Sequence, residues 1–218
     1  MQFACESKKL CDSILDILLT EWQGVSTDLT YKNCFELIIA VILSAQCTDE
    51  QVNKVTPRLF KAWPDPVSLA NAPLSELENI VYATGFYRHK ARHIKETAQI
   101  IAKQYQGRVP DDFEALIKLP GVGRKTAHLV QSLCHDKPGL IIDTHVLRIT
   151  ERTGLALSSD PYKTEMILAG IIPKELHARA SFALNRQGKF VCTARNPACP
   201  RCSISKFCKT RSPENFLQ

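Results

Sequence analysis

Apolar positions recur along this chain with a helical period. Leu10, Ile14, Ile17 and Leu18 share one face of a segment from about Ser7 to Trp22, the spacing that lets a helix bury one stripe. Asn33 is a suitable cap for a second helix. Its run Leu37-Ile38-Ile39-Ala40-Val41-Ile42-Leu43 is apolar all round, and a helix without a polar face belongs inside a core. Asp49 to Trp63 predicts a third helix, stopped by Pro64 and Pro66. Leu74 to Val81 is short. Tyr87 to Tyr105 is long and amphipathic, closed by Gly107 and Pro110, and Asp111 or Asp112 caps a short helix through Lys118. Further helices are expected over Val122 to Cys134, Asp143 to Arg152, from Pro161 onward, and over Glu175 to Gln187. No segment of useful length alternates with period two, and no internal repeat is found. The pattern predicts an all-α protein.

Composition narrows the class without naming it. With 218 residues, 44% hydrophobic and 23% charged, the chain is neither disordered nor fibrous. It has length for one large domain or two small ones. Ser7, Lys8, Lys9, Asp12 and Asp16 interrupt any N-terminal apolar run, and Leu37 to Leu43 is too short to span a bilayer. A cytoplasmic protein with no membrane partner is therefore expected. The net charge of +6 is unevenly distributed: residues 1–118 carry 13 basic and 15 acidic side chains, residues 119–218 carry 15 and 7. Between Arg186 and Arg211 lie seven basic residues and no acidic one. A solvated tail would account for such a segment, but its cysteines and prolines favour contact with a polyanion.

The cysteine count of nine is odd, so internal pairing cannot use them all. In a reducing compartment clustered cysteines bind metal more often than they form disulfides. Cys192, Cys199, Cys202 and Cys208 form C-x6-C-x2-C-x5-C, bent by Pro197 and Pro200. So short a segment cannot build its own apolar core, and a metal centre can hold it together instead. Thiolates suit zinc or iron–sulfur. Only Cys199 and Cys202 have the close spacing usual for structural zinc, and the longer outer gaps favour a larger object such as a [4Fe–4S] cube. Cys5, Cys11, Cys34, Cys47 and Cys134 are scattered, as packing residues would be.

Two shorter motifs carry candidate chemistry. In Leu119-Pro120-Gly121-Val122-Gly123-Arg124-Lys125 no strand precedes the glycines and the third glycine of a dinucleotide fingerprint is missing. A helix–hairpin–helix fits better. Glycines at both positions permit positive φ and close backbone approach, and the next helix presents free N–H groups to an anion such as a DNA phosphate. A plain interhelical turn is the alternative. Lys125 falls in the first turn of that helix, where a cation opposes the dipole. Dipole and desolvation would both favour a neutral, nucleophilic amine, although a lysine that merely contacts phosphate fits the pattern too. Asp143, at the head of Asp143-Thr144-His145, is a natural N-cap and could also stabilise a cationic transition state. His145 could act as acid, base or pocket wall.

Taken in order, Leu43-Ser44-Ala45-Gln46 with Thr48-Asp49, the hairpin Leu119 to Lys125, the Asp143-Thr144-His145 box and the cysteine cluster resemble the endonuclease III family of helix–hairpin–helix DNA glycosylases. The resemblance covers nearly the whole chain. It implies two lobes, a six-helix barrel over 27–137 and an iron–sulfur lobe from 1–26 with 138–218. It also implies a monomer acting on duplex DNA that contains damaged bases or abasic sites, with a [4Fe–4S] cluster on the four cysteines. The activity implied is removal of oxidised pyrimidines followed by nicking, with Lys125 as nucleophile and Asp143 as its electrostatic partner. Gln46 matches the residue that fills the gap left by a flipped nucleotide. Phe86, in Gly85-Phe86-Tyr87-Arg88, matches an apolar wedge, and a core position is the alternative for it. Ser44, Asp49 and His145 match the lesion pocket. Gly121, Gly123 and Arg124 match the DNA-binding hairpin, and Lys189, Arg195 and Arg201 are placed near the cluster to meet phosphates. Cys47, His128 and Gln187 depart from the commoner family residues. An adenine- or mismatch-type glycosylase is the nearest rival; those usually lack lysine at position 125 and carry a further C-terminal domain, whereas this sequence has Lys125 and ends ten residues after Cys208. A non-catalytic iron–sulfur DNA-binding or redox-sensing protein is a rival of another class.

Overall fold

The computed structural model describes residues 2–210, with side chains from Glu6 onward, so the Cys5 side chain and Arg211 lie outside the described residues. Those residues are helical and contain no strand. The chain divides into two compact units, residues 28–137 and residues 1–27 with 138–218.

The unit over 28–137 is built around α2 (Cys34–Ser44), whose residues Phe35 to Leu43 are all buried. Asn33 caps it through a bond from the Glu36 N–H. Around it stand α3 (Asp49–Ala62), α4 (Pro66–Asn71), α5 (Leu74–Val81), α6 (Tyr87–Gln104), α7 (Phe113–Ile117) and α8 (Arg124–Cys134). The apolar positions of α6 and α8 that recur every three to four residues, Ala91, Ile94, Ala98 and Ile101 on one and Ala127 and Val130 on the other, are sealed from water. Helix α4 departs from the expectation that Pro64 and Pro66 only end α3. Pro66 begins a new helix because its fixed φ and missing N–H suit the first helical position. Asp65 and Ser68 form a reciprocal capping box in front of it.

The second unit joins α1 (Gln2–Glu21) to α9 (Thr144–Thr153), α10 (Pro161–Ala169) and α11 (His177–Phe190). Its core brings Cys11, Ile14 and Leu18 of α1 together with Val146, Ile149, Leu168, Ala180 and Leu184. Helix α11 starts after a single tight turn at Lys174–Leu176 and runs three residues past the expected Gln187. Gly188 does not end it. A Cβ there would sit 2.7 Å from the His145 Cβ, so this glycine serves close packing of α11 on α9.

Candidate functional site

The glycine hairpin in the 28–137 unit is under tight steric control. Gly121 has φ +79, and a Cβ on it would meet the Ile42 Cγ2 at 3.0 Å and the His93 Nδ1 at 3.1 Å. The turn is closed by the Val122 N–H to the Leu119 carbonyl at 3.0 Å, which places Val122 ahead of α8 rather than inside it. Thr97 anchors the Pro120 carbonyl at 3.0 Å. Gly123 differs from expectation: its backbone is extended, with φ −97 and ψ 179, and nothing lies within 4 Å of a Cβ there. One glycine, not two, is conformationally required. Gly123 serves as an N-cap without a side-chain cap bond, followed by Arg124 and Lys125 with no acid in the first turn. The start of α8 therefore offers backbone donors to an anion. The Arg124 guanidinium lies over the Phe113 ring at 4.8 Å, and Phe113 packs on His128 at 4.7 Å. Lys125 is exposed. The desolvation expected from sequence is not supplied by its own unit, because only the opposite face of α8 turns inward at Ala127, Leu129 and Val130.

Beside the hairpin is a cavity of about 280 Å³ lined by Ile42, Ala45, Gln46, Phe86, His89, Lys90, His93 and Gly121. It unites Gln46, Phe86 and Gly121 from three separate loops. Ser44 and Asp49 are not among its walls: Ser44 turns back to the Val41 carbonyl, and Asp49 opens α3. Gln46 and Phe86 both hold left-handed backbones, φ 52 and 46, a costly conformation for such side chains that accumulates at functional sites. Phe86 is 64% exposed, so it is not a core residue. Lys90, which sequence reasoning passed over, is buried and donates from Nζ to the Thr84 carbonyl at 2.6 Å, bracing the loop that carries Phe86. Burial lowers its pKa.

Asp143 belongs to the other unit and caps α9. Its Oδ1 accepts from the His145 and Val146 N–H groups, both at 2.9 Å, and its Oδ2 accepts from the Asn185 amide at 2.6 Å. Asn185 comes from α11, 42 residues away, and no local sequence pattern marks it. Arg148 faces His145 Nδ1 at 3.0 Å and donates to the Gly188 carbonyl at 2.7 Å and the Cys192 carbonyl at 2.8 Å. With Nδ1 accepting from a guanidinium, the His145 ring is held by Arg148, and its backbone lies against Gly188.

The cysteine loop follows α11. Arg152, one turn beyond Arg148, donates to the Cys192 Sγ at 3.2 Å and to the carbonyls of Thr193 and Ala194, each at 3.0 Å. Gln187 is fully buried. It donates to the Cys202 Sγ at 3.3 Å and accepts from the Trp22 indole at 3.0 Å. Burial raises the Cys202 thiol, bonds to Ile204 and Gln187 lower it, and the nearby Cys192 and Cys199 raise it. Cys208 pairs with the Thr210 hydroxyl. Among the described residues no three His, Cys, Asp or Glu side chains converge on one metal-ion position. A cube in which each thiolate binds its own iron needs no such convergence. Soft sulfur donors with N–H groups aimed at two of them fit that cofactor. Lys189, Arg195 and Arg201 are exposed around this loop, with Arg201 tied to the Phe190 carbonyl. Sequence reasoning missed the α9 arginines, whose four-residue spacing is the signal that could have found them.

Comparison with known proteins agrees with this chemistry. Residues 39–174 match the model of the HhH-GPD superfamily base excision DNA repair protein, and residues 192–208 match the iron–sulfur binding domain of endonuclease III. An endonuclease III from Synechocystis is 40% identical over 204 residues, covering 92% of each chain. Two solved structures, a non-covalent endonuclease III–DNA complex and a trapped endonuclease III–DNA covalent intermediate, superpose with TM-score 0.89 at 39% identity. Each comparison covers 93% of this chain and 95% of the other. The chain therefore belongs to the endonuclease III family of the HhH-GPD base excision DNA repair superfamily, with a [4Fe–4S] cluster as its cofactor.

Proposed function

We propose that this protein is a bifunctional DNA glycosylase/AP lyase that removes oxidised pyrimidines from duplex DNA and then cleaves the abasic site. The observation that carries this reading is the exposed Lys125 amine in the first turn of α8, directly behind a hairpin at whose Gly121 a side chain would be crowded and strained. A damaged base cannot be reached inside the duplex, so the nucleotide must flip out. Backbone donors at the start of α8 hold a phosphate, Phe86 parts the stacked bases and Gln46 fills the vacated space. Bound DNA covers Lys125 and supplies the desolvation that its own unit does not. The Lys125 nitrogen bonds to the sugar C1′ as the bond to the base breaks. Asp143, oriented by Asn185, stabilises the positive charge that develops on the sugar. The Schiff base so formed acidifies the C2′ proton, and its loss expels the 3′ phosphate by β-elimination. A relative captured as a trapped covalent intermediate with DNA supports a covalent course.

Cys192, Cys199, Cys202 and Cys208 hold the cluster, which cross-links the loop when bound. The protein works in the cytoplasm as a monomer. The test is a panel of duplexes with single defined lesions, incubated with and without borohydride. Nicking and covalent trapping are expected for the wild type, and neither for Lys125→Ala. A Lys125→Ala protein that still traps would remove the assignment. Wild-type protein that binds every duplex and cleaves none would favour a non-catalytic DNA-binding role.

A further inference from the structure

Two cysteines outside the cluster meet in the 28–137 unit. Cys34 is the first residue of α2 and Cys134 is the last of α8. The two helices pack together and run antiparallel: Ile42, near the far end of α2, touches Gly121 just ahead of α8, which brings the start of α2 to the end of α8. There Cys34 lies close enough to Cys134 to add to the rise that burial gives its thiol, and Tyr31 lies close enough to feel both. Both helix ends are fixed, α2 by the Asn33 cap at 2.9 Å and α8 by the His135 N–H to the Gln131 carbonyl at 3.0 Å. Both thiols are half-buried, within reach of a small reagent, whereas Cys11 is sealed in the other core. The packing of α2 on α8 thus sets two sulfurs near each other on anchored elements.

We propose that Cys34 and Cys134 form a reversible dithiol–disulfide pair that staples α2 to α8 when oxidised. The oxidant is a low-molecular-weight disulfide such as oxidised glutathione. The Cys34 thiolate attacks one glutathione sulfur and releases the first glutathione thiolate. The Cys134 sulfur then attacks Cys34 in the mixed disulfide and releases the second. Two cysteine thiols lose two electrons and two protons, and the oxidised glutathione becomes two glutathione thiols. Burial, and then Cys34 itself, push the Cys134 thiol well above its ordinary value, which suits Cys134 to be the second, resolving sulfur. Once Cys34 is in the mixed disulfide, its charge no longer opposes ionisation of Cys134. The bridge closes the chain from residue 34 to residue 134 and so encloses α2 through α8. It restricts the unfolded form of nearly the whole unit. Lys125 lies at the other end of α8, away from the bond.

The experiment uses the cluster-loaded protein and oxidised glutathione, followed by intact mass, by peptide mapping without reduction and by thermal unfolding. Expected are a mass lower by two hydrogens, a linked Cys34–Cys134 peptide, no retained glutathione and a higher Tm that reductant reverses. Cys34→Ser should keep glutathione on Cys134 or stay unmodified, and form no link. Stable glutathione adducts on both wild-type cysteines, links to other cysteines, or no change in mass would each overturn the proposal. The outcome does not depend on the cleavage activity.

Discussion

Gly121 and Gly123 stand two positions apart and answer to different constraints. Gly121 combines φ +79 with atoms of Ile42 and His93 at 3.0–3.1 Å from any added Cβ, whereas Gly123 has neither restriction. Gly121→Ala should cost about 1–3 kcal/mol of stability, and Gly123→Ala should stay within about 0.5 kcal/mol; urea unfolding of the two variants checks the contrast. The sequence shows a G-x-G but not which glycine is obligatory, because that depends on α2 and α6, which are remote in sequence. The same holds for Asp143. Its capping role is local and legible, while the 2.6 Å bond from Asn185 crosses from α11. Loss of one charge-assisted bond of roughly 1.5 kcal/mol from a carboxylate proposed to stabilise developing charge should slow the single-turnover base-excision rate of Asn185→Leu about tenfold. Binding of abasic-site duplex should change little.

Among the helices, long apolar periods are read correctly from sequence, and so are the short α5 and α7, whereas a helix that opens between two prolines is not. Helix α2 announces itself by an unbroken apolar run, and α6 and α9 by their stripes. Helix α4 is hidden because two prolines look like stop signals until Asp65 and Ser68 are recognised as a capping box around Pro66. In α9 the apolar stripe is legible but the polar face is not. Arg148 and Arg152 are one helical turn apart, and together they grip the Gly188 and Cys192 carbonyls and the Cys192 sulfur. With Cys192 as the proposed cluster ligand, the Arg152 N–H is that ligand's outer partner, and removal of such partners typically weakens metal binding about tenfold or more. Arg152→Ala should therefore lose iron faster than wild type under a chelator, seen as faster bleaching of visible absorbance and lower iron per chain.

For the whole molecule, the linear charge split changes meaning once the chain folds into units. Along the sequence the second half carries the whole of the basic excess. By unit, residues 28–137 hold 14 basic and 12 acidic side chains, and residues 1–27 with 138–218 hold 14 and 10. The acids of α1 share a unit with the basic C-terminal part, an offset that no local window reveals. Each unit also has its own apolar core. Removing the cluster should raise amide hydrogen exchange across α1 and α9–α11 while leaving α2–α8 protected. Exchange read by mass spectrometry checks this, and uniform loss of protection would contradict two separate cores.

Arg152 marks both ends of the cysteine loop. Its side chain holds Cys192, Thr193 and Ala194 where the loop departs, and its own carbonyl accepts the Lys209 N–H at 2.7 Å where the chain returns. Gly154, two residues on, lacks the Cβ that would collide with the Lys209 side chain. A segment whose ends meet at one residue behaves as a detachable cassette. A short turn can bridge those ends without rethreading α9 or α11, provided something fills the place of Ile204 in the core. Gaining or shedding a metal centre here is an edit to one surface excursion, which makes the loop a natural unit of exchange between proteins built on the same helices.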